Sequence, residues 1–383
     1  MASKVLFCAT VDAHIESFHL PYLKWFKEKG WEVHVAAYGN LELPFVDKKY
    51  NIPLQRSPFK LKNIYSYFEM KKIIDRNNYQ IIHCHTPMGG FITRLAGINA
   101  RKSGTKVLYT AHGFHFYNGA PMKNWLLYYP IEKWLARYTD CLITINEEDY
   151  CFARDHFISS QVEHVYGVGV NTEIFKPISN SYKDNIKKSL GYQTNDFLIF
   201  YAAEFNKNKN QKYLIKMLAT IKERTPQVKL LLAGDGYLLK ECKLLANQLG
   251  VDYMVNFLGH RTDLPSILPI CDVTVASSLR EGLPVNIMEA MSCGLPVVAV
   301  ENRGHNELIE NNYNGWVINK NNYQEMGEKV VTLVNNTNIK FEFGRNGRRI
   351  VEKKYCLEKI MDQKSKIYMK FMNETEGTRW LAQ

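Results

Sequence analysis

The chain has 383 residues, 46% hydrophobic and 23% charged, with a formal net charge of +11. That length supports two domains, each able to bury its own core. No apolar run approaches the ~20 residues that cross a bilayer, and no zinc-finger, RRM or helix-turn-helix pattern accompanies the positive charge, which argues against nucleic acid as a partner.

The opening run "KVLFCATV" reads as a first strand; it is too short for a signal peptide, and Asp12 interrupts it. "LPYLKWFKEKG" has apolar residues at helical spacing, and "EVHVAAY" reads as the next strand. Residues 48–76 then hold Lys48, Lys49, Arg56, Lys60, Lys62, Lys71, Lys72 and Arg76 against only Glu69 and Asp75, interleaved with Phe59, Tyr65, Tyr67 and Phe68. Such a segment suits an anionic membrane surface or a lipid phosphate, and equally a solvated helix face.

The strands "IIHCH" and "KVLYTAHG" carry histidines to their ends: His83, expected in the core, then His85 and His112, with His115 just beyond. His83 and His85 have metal-like spacing, but no second ligand pair is expected near them, so no metal is expected. The aromatic helix "NWLLYYPIEKWL" suits core packing or a membrane surface, and the acidic run at 147–149 suits a helix N-terminus. "CLITIN" and "VEHVYGV" complete the first series of strands.

"GVGVNTEIFKPISN", rich in Gly, Asn and Pro, marks a domain boundary. The second series is "FLIFYAAEF", "VKLLLAGDG", "MVNFLGH", "VTVASS", "PVVAV" and "GWVI", and "GYLLKECKLLANQLG" between them is a helix that Gly250 can end. Continuous apolar strands alternating with helices imply parallel sheets covered on both faces, hence two Rossmann-like domains. The expected division is 1–168, 169–350, a long final helix over 351–372 that returns to the first domain, and a loose tail at 373–383. Eight scattered cysteines, with no paired C-x-x-C, read as reduced thiols of a cytosolic protein.

The most informative stretch is "LREGLPVNIMEAMSCGLPVV" at 279–298. Glu281 falls in the loop after the strand at 272–278, and Pro284 is placed to begin a helix that Gly294 ends. Free backbone N–H groups at 283–286 favour a bound anion such as phosphate. Glu281 and Glu289 can accept hydrogen bonds from vicinal hydroxyls of a sugar or ribose. Carboxyl ends of parallel strands are where ligands bind in such sheets.

This stretch resembles the E-x7-E motif of the family 4 retaining glycosyltransferases. "GVGVNTEIFKP", "LLLAGDGYLLKECKLLANQLG", "VNFLGHRTDLPSIL" and "HNELIENNYNGWVI" are similar to further family segments in the same order, so the likeness covers nearly the whole chain. It implies the GT-B fold, an α/β architecture of two Rossmann-like domains whose parallel sheets face each other across a cleft. It implies that Glu281 contacts donor-sugar hydroxyls, that Gly282, Leu283, Pro284 and Val285 lie along the sugar and diphosphate, and that Glu289 binds the ribose. Arg261 falls where the family places the base, although a plain surface charge is an equal reading.

Two departures stand out. Family members carry an arginine and a lysine that clamp the diphosphate; here Lys209 keeps the lysine position and Glu204 replaces the arginine, so Lys207 or Asn206 is the candidate substitute. The first loop, "TVDAHIESFHLPY", lacks a double glycine and resembles the bacterial exopolysaccharide, capsule and lipid-linked glycan branch. His14 and His85 are candidate substrate contacts, His112 is a candidate catalytic donor or base, and His19 is expected to be structural.

The resemblance implies a UDP-sugar donor, with N-acetylhexosamine favoured, and a polyprenyl-diphosphate-linked saccharide acceptor. It implies transfer with retention, by an enzyme peripheral on the inner face of the cell membrane in the cytoplasm. The sequence has no Asp-x-Asp motif, so chemistry needing no metal or cofactor is expected. The alternatives are a non-catalytic sugar- or nucleotide-binding partner of another transferase, and a UDP-sugar epimerase of the same fold.

Overall fold

Strands that are apolar at every position are stable only where both faces of a sheet are covered. In the computed structural model, which describes residues 2–159 and 161–381, β1 (Lys4–Val11), β2 (Glu32–Tyr38), β3 (Lys48–Asn51), β4 (Ile81–His85), β5 (Lys106–Ala111), β6 (Cys141–Thr144) and β7 (Val162–His164) form one parallel sheet in the order β3-β2-β1-β4-β5-β6-β7. The central strand β4 is buried along its whole length. A second parallel sheet contains β8 (Phe197–Ala202), β9 (Val228–Ala233), β10 (Val255–Gly259), β11 (Val273–Ala276), β12 (Val297–Val300) and β13 (Gly315–Ile318), ordered β10-β9-β8-β11-β12-β13.

Both orders reverse direction once, between β1 and β4 in the first sheet and between β8 and β11 in the second. At such a switch point the loops leaving the two strands run to opposite sides and open a crevice at the carboxyl ends. The sequence alternation thus gives two Rossmann-like units and, with them, two crevices.

The first unit comprises residues 1–168 and Ile360 onward; the second is Gly169–Lys359. Ile360, Ile367, Tyr368 and Phe371 lie in the core of the first unit against Val5, Phe7 and Phe26. The second unit extends nine residues past the expected limit at 350, to Lys359. The expected single helix from 351 is broken: Val351–Tyr355 is a π-helical turn, and Cys356 is extended (φ −69°, ψ 144°). Its neighbours pair with Val170, whose N–H donates to Tyr355 O at 2.9 Å and whose O accepts from Leu357 N at 2.8 Å. The last helix is Leu357–Leu381, so 373–381 is helical rather than loose, and 382–383 lie outside the described residues.

Both edge strands of the first sheet escape the pattern, and β7 has no fully buried residue. β3, "KKYN", has no fully buried residue and lies at the sheet edge. The basic segment 48–76 is therefore composite: an edge strand, a loop, and the helix Lys62–Asn77. Lys49 is taken up by Asp12 at 2.6 Å. The helix Glu147–His156 does start on its acidic run, capped by Asn146 Oδ1 accepting from Asp149 N. All eight cysteines are free thiols, six of them buried. Among the described residues no helix is long and apolar enough to cross a membrane.

Candidate functional site

In the second unit, the loops after β8 and β11 meet at the switch point. Leu279 N donates to Asn208 O at 2.8 Å, and Asn208 Nδ2 donates to Arg280 O at 3.0 Å. Ser277 Oγ donates to Lys209 O at 2.7 Å, and the Tyr201 hydroxyl bonds Ser278 Oγ at 2.6 Å. These backbone-directed bonds fix Lys209 and Glu281 against each other, with Nζ 2.6 Å from Oε1. Both side chains are largely shielded, at 25% and 15% exposure.

The helix after this loop is Val285–Ser292, and Pro284 is its N-cap rather than its first helical residue. The first turn of a helix leaves N–H groups without intrahelical partners; Asn286 Oδ1 takes that of Ile287. Leu283 and Pro284 are buried in the turn, while Gly282 and Val285 are half-buried. Glu289 is half-buried on this helix, and burial pushes its carboxyl up to about 7. The carboxylate has no ion pair among the described residues.

A third loop closes the group. Asn302 Nδ2 donates to Ser278 O at 2.8 Å, and Arg303 Nε donates to Glu281 O at 3.2 Å. Gly304 must be glycine: a Cβ there would sit 2.8 Å from Gly282 O and 3.0 Å from Glu281 Cβ. His305 is buried and gives its Nδ1 proton to Val300 O. Its Nε2, left as an acceptor, has no hydrogen-bond partner among the described residues. Burial lowers its basicity to about 4, although Glu281 opposes the shift. The sequence reading passed over Asn302, Arg303, Gly304 and His305; their signal is a short polar R-G-H-N stretch directly after a buried strand.

Glu204 is exposed, and its Oε2 accepts from Asn206 Nδ2 at 3.1 Å. Asn206 Oδ1 in turn accepts from Lys209 N at 2.9 Å, so Asn206 positions the lysine loop. Lys207 is exposed on the same loop, its N–H donating to the Tyr237 hydroxyl at 3.2 Å. Arg261 is engaged by its neighbour Asp263, with Nε 2.8 Å from Oδ1. That contact leaves the surface-charge reading of Arg261 standing beside the base-binding one.

In the first unit, His14, His85 and His112 come together with His19. The ring centroids of His19 and His85 are stacked 3.8 Å apart, and those of His14 and His112 are 4.7 Å apart, edge to face. Candidate ligand atoms of all four lie within 4.8 Å of one another. The expectation that no further histidines approach His85 is thus wrong, because chain order hid a contact made across β1, β4 and β5.

Metal-bound imidazoles normally give their second nitrogen to an oxygen acceptor; among the described residues neither ring nitrogen of His19 or of His85 has a hydrogen-bond partner. The buried Lys364 amine lies 4.5 Å from the Tyr22 ring centroid and has no hydrogen-bond partner among the described residues; burial lowers its basicity to about 7. Desolvation holds His14 down to about 4 and His19, His85 and His112 well below the usual imidazole range, so all four are neutral near pH 7.

His85 is fully buried and packs against His19, which removes it from the candidate substrate contacts. His83 lies in the core as expected, bonded to the Tyr368 hydroxyl at 2.7 Å and Thr110 Oγ1 at 2.8 Å. His14 lines a cavity of about 550 Å³ with Thr10, Arg56, Thr86, His115 and Tyr128. Thr86 there has φ 63°, a strained value for a branched residue. Its hydroxyl takes the Thr10 N–H at 3.0 Å, which ties the end of β1 to the start of the segment after β4.

Comparison with known proteins places this geometry in context. Residues 182–350 match the family Glycosyl transferases group 1, and residues 4–146 match the family Glycosyl transferase 4-like. The chain is 46% identical over 374 residues to EpsD of Bacillus subtilis (strain 168), which is named as a glycosyltransferase; the match spans 97% of this chain and 98% of that one. It is 28% identical over 316 residues to the Escherichia coli UDP-Gal:alpha-D-GlcNAc-diphosphoundecaprenol alpha-1,3-galactosyltransferase, spanning 81% and 80%. Among solved structures, Anabaena HepE in complex with UDP and glucose superposes with a TM-score of 0.79 at 22% identity, spanning 96% and 100%. That likeness is one of fold, the GT-B arrangement of two Rossmann-like domains.

Proposed function

The chain belongs to the group 1 glycosyltransferases, and on that premise we propose that it moves a sugar from a UDP-sugar to a saccharide carried on a polyprenyl diphosphate, with retention at the anomeric carbon. N-acetylhexosamine is the favoured sugar. The observation that carries the reading is the Lys209–Glu281 pair at the switch point of the second sheet, beside the start of a helix.

In the proposed mechanism the donor diphosphate takes over Lys209, and first-turn N–H groups of the helix Val285–Ser292 share its charge. Preorganised donors of this kind supply the largest part of leaving-group stabilisation. Glu281, released from the lysine, accepts from sugar hydroxyls, and Glu289 accepts from the ribose. The acceptor hydroxyl attacks from the face that the diphosphate leaves, and a phosphate oxygen takes its proton. A lysine ammonium at the diphosphate position supports chemistry without a divalent metal or other cofactor.

Two relatives support the substrate classes. The E. coli transferase is named for a UDP-sugar donor and a diphosphoundecaprenol acceptor, and HepE was crystallised with UDP and glucose. Exposed Phe59, Leu61, Ile64 and Phe68 among the lysines of the first unit support peripheral contact with an anionic membrane, on its cytoplasmic face.

The test is UDP release from a panel of UDP-sugars with and without GlcNAc-diphosphate-polyprenol, in the presence of EDTA. Acceptor-dependent release that survives EDTA is expected. Nucleotide binding without turnover would make the chain a binding partner instead, and a UDP-sugar altered without acceptor would make it an epimerase.

A further inference from the structure

The first unit carries a groove of about 510 Å³ between the helices Lys62–Asn77, Pro87–Ala96 and Met122–Ala136. Ile64, Phe68, Phe91, Leu95, Leu127 and Ile131 form its walls. Its volume falls in the ~300–1,000 Å³ range of ligand sites. Two polar side chains on the wall are used up internally. Glu132 is paired with buried Arg94 at 2.8 Å, and Asn63 takes Gln55 N and gives to Ser57 O at 2.9 and 2.8 Å. Tyr67 and Tyr128 also line it, and Lys60 is exposed at the rim.

The rim is unusually apolar for a surface in water. Phe59 and Leu61 are each 81% exposed, and Ile64 and Phe68 are exposed beside them. Contiguous exposed apolar side chains of this kind mark a surface that is covered in use.

The groove does not end blindly. Pro58, Pro87, Met88 and Tyr128 line both it and the 550 Å³ cavity at the β1–β4 switch point. That cavity adds Arg56, which has no ion pair among the described residues, together with His14 and Thr86. The two adjoining spaces thus offer hydrocarbon, a guanidinium and hydrogen-bonding side chains. A long-chain diphosphate sugar carries the same three chemistries: tail, anion, hydroxyls. An amphipathic helix would have no use for the cation or the polar chamber, and a bilayer surface would need no groove.

We propose that these two spaces form the acceptor site. The groove holds the first isoprene units of the carrier, Arg56 holds the diphosphate, and the chamber beside His14 receives the sugar. The proposal rests on the reading that the acceptor is lipid-linked.

The experiment compares two soluble acceptors, GlcNAc-diphosphate bearing a farnesyl or a methyl group, with the full-length protein. Each buried methylene adds to binding, so kcat/KM for the farnesyl acceptor should exceed that for the methyl acceptor by about tenfold or more. Ile64→Gln with Leu127→Gln should shrink that ratio towards unity, whereas general damage to the fold would lower both and leave the ratio intact. Arg56→Gln should raise KM for both acceptors alike.

A wild-type ratio near unity, or a ratio untouched by the groove variants, overturns the proposal. If neither acceptor is turned over, binding of farnesyl diphosphate by calorimetry separates the two failures. Binding lost in the groove variants keeps the groove and sinks the lipid-linked acceptor reading; no binding by the wild type sinks the groove. A dimer in sedimentation that Ile64→Gln dissociates would assign the surface to a second copy and overturn the proposal.

Discussion

Lys209 Nζ and Glu281 Oε1 lie 2.6 Å apart, each neutralising the charge of the other. The loops that hold them are tied by main-chain hydrogen bonds, so the pair is a property of the backbone as well as of two side chains. On the proposed mechanism, the carboxylate that accepts sugar hydroxyls and the ammonium that holds the diphosphate keep each other ordered before the donor binds.

That pairing sets the first prediction. Lys209→Ala should raise the donor KM and lower kcat, together costing about 1.5–3 kcal/mol of transition-state stabilisation, the worth of a charge-assisted contact. Glu281→Ala should cost a similar amount. Combined, the two should fall short of the sum, because each single variant also strands a charged partner. Steady-state kinetics on the three variants measures the coupling; wild-type kinetics for Lys209→Ala would remove the lysine from the mechanism.

Glu289 gives a pH signature. Its folded-state carboxyl titrates near 7 because of burial, above its ordinary value. Its contribution to stability is therefore fullest below the ordinary carboxylate range and is lost as pH rises through about 7. On the proposed role the ionised form accepts the ribose hydroxyls, so UDP binding should weaken about tenfold between pH 8 and pH 6. Calorimetric titration should show that slope in the wild type and a flatter one in Glu289→Gln. Equal slopes would take Glu289 out of the nucleotide site.

Asp272 anchors the second unit. Burial alone would raise its carboxyl, but Lys183, Lys340 and Lys187 outweigh burial and hold it at about 2. Lys183 Nζ and Lys340 Nζ are 2.9 and 3.0 Å from Oδ1, and Lys187 Nζ is 3.2 Å from Oδ2. The stability it supplies is present above its ordinary value near 4 and is lost as pH falls towards 2. Asp272→Asn should therefore cost about 3 kcal/mol at neutral pH, since buried Lys187 is left unpaired. In denaturation experiments the gap from wild type should close on acidification through that window.

Arg94 and Glu132 form the buried pair beneath the apolar groove, and Arg94 also lies over the Tyr109 ring at 3.9 Å. Glu132→Leu alone strands a guanidinium that is 1% exposed and should cost about 3–5 kcal/mol. Arg94→Met with Glu132→Leu should recover most of that loss, because two apolar side chains need no partner. Thermal melting of the single and double variants reads the difference.

How far the sequence reached depends on how local each signal is. Buried strands announce themselves by continuous apolar runs, and Glu281, Pro284 and Glu289 sit on one short stretch with a resemblance behind it. β3 was missed because an exposed edge strand of four residues, "KKYN", has no apolar pattern to detect. The break at Cys356 was missed because helical spacing continues across it; the kink is imposed by pairing with Val170, a residue far away in sequence. The four-histidine cluster depends on three strand ends meeting, and the tie between Lys209 and Glu281 on two loops meeting. Neither is written in spacing.

The bond from His83 to Tyr368 has a consequence for how the polypeptide is made. Ile360, Ile367, Tyr368 and Phe371 are core residues of a unit that otherwise uses the amino-terminal part of the sequence. Emerging from the ribosome, that amino-terminal portion must wait through synthesis of everything else before its interior can close. Until residues 360–371 have emerged it carries an uncovered apolar face, which leaves shorter nascent fragments more open to chaperones and to proteolysis.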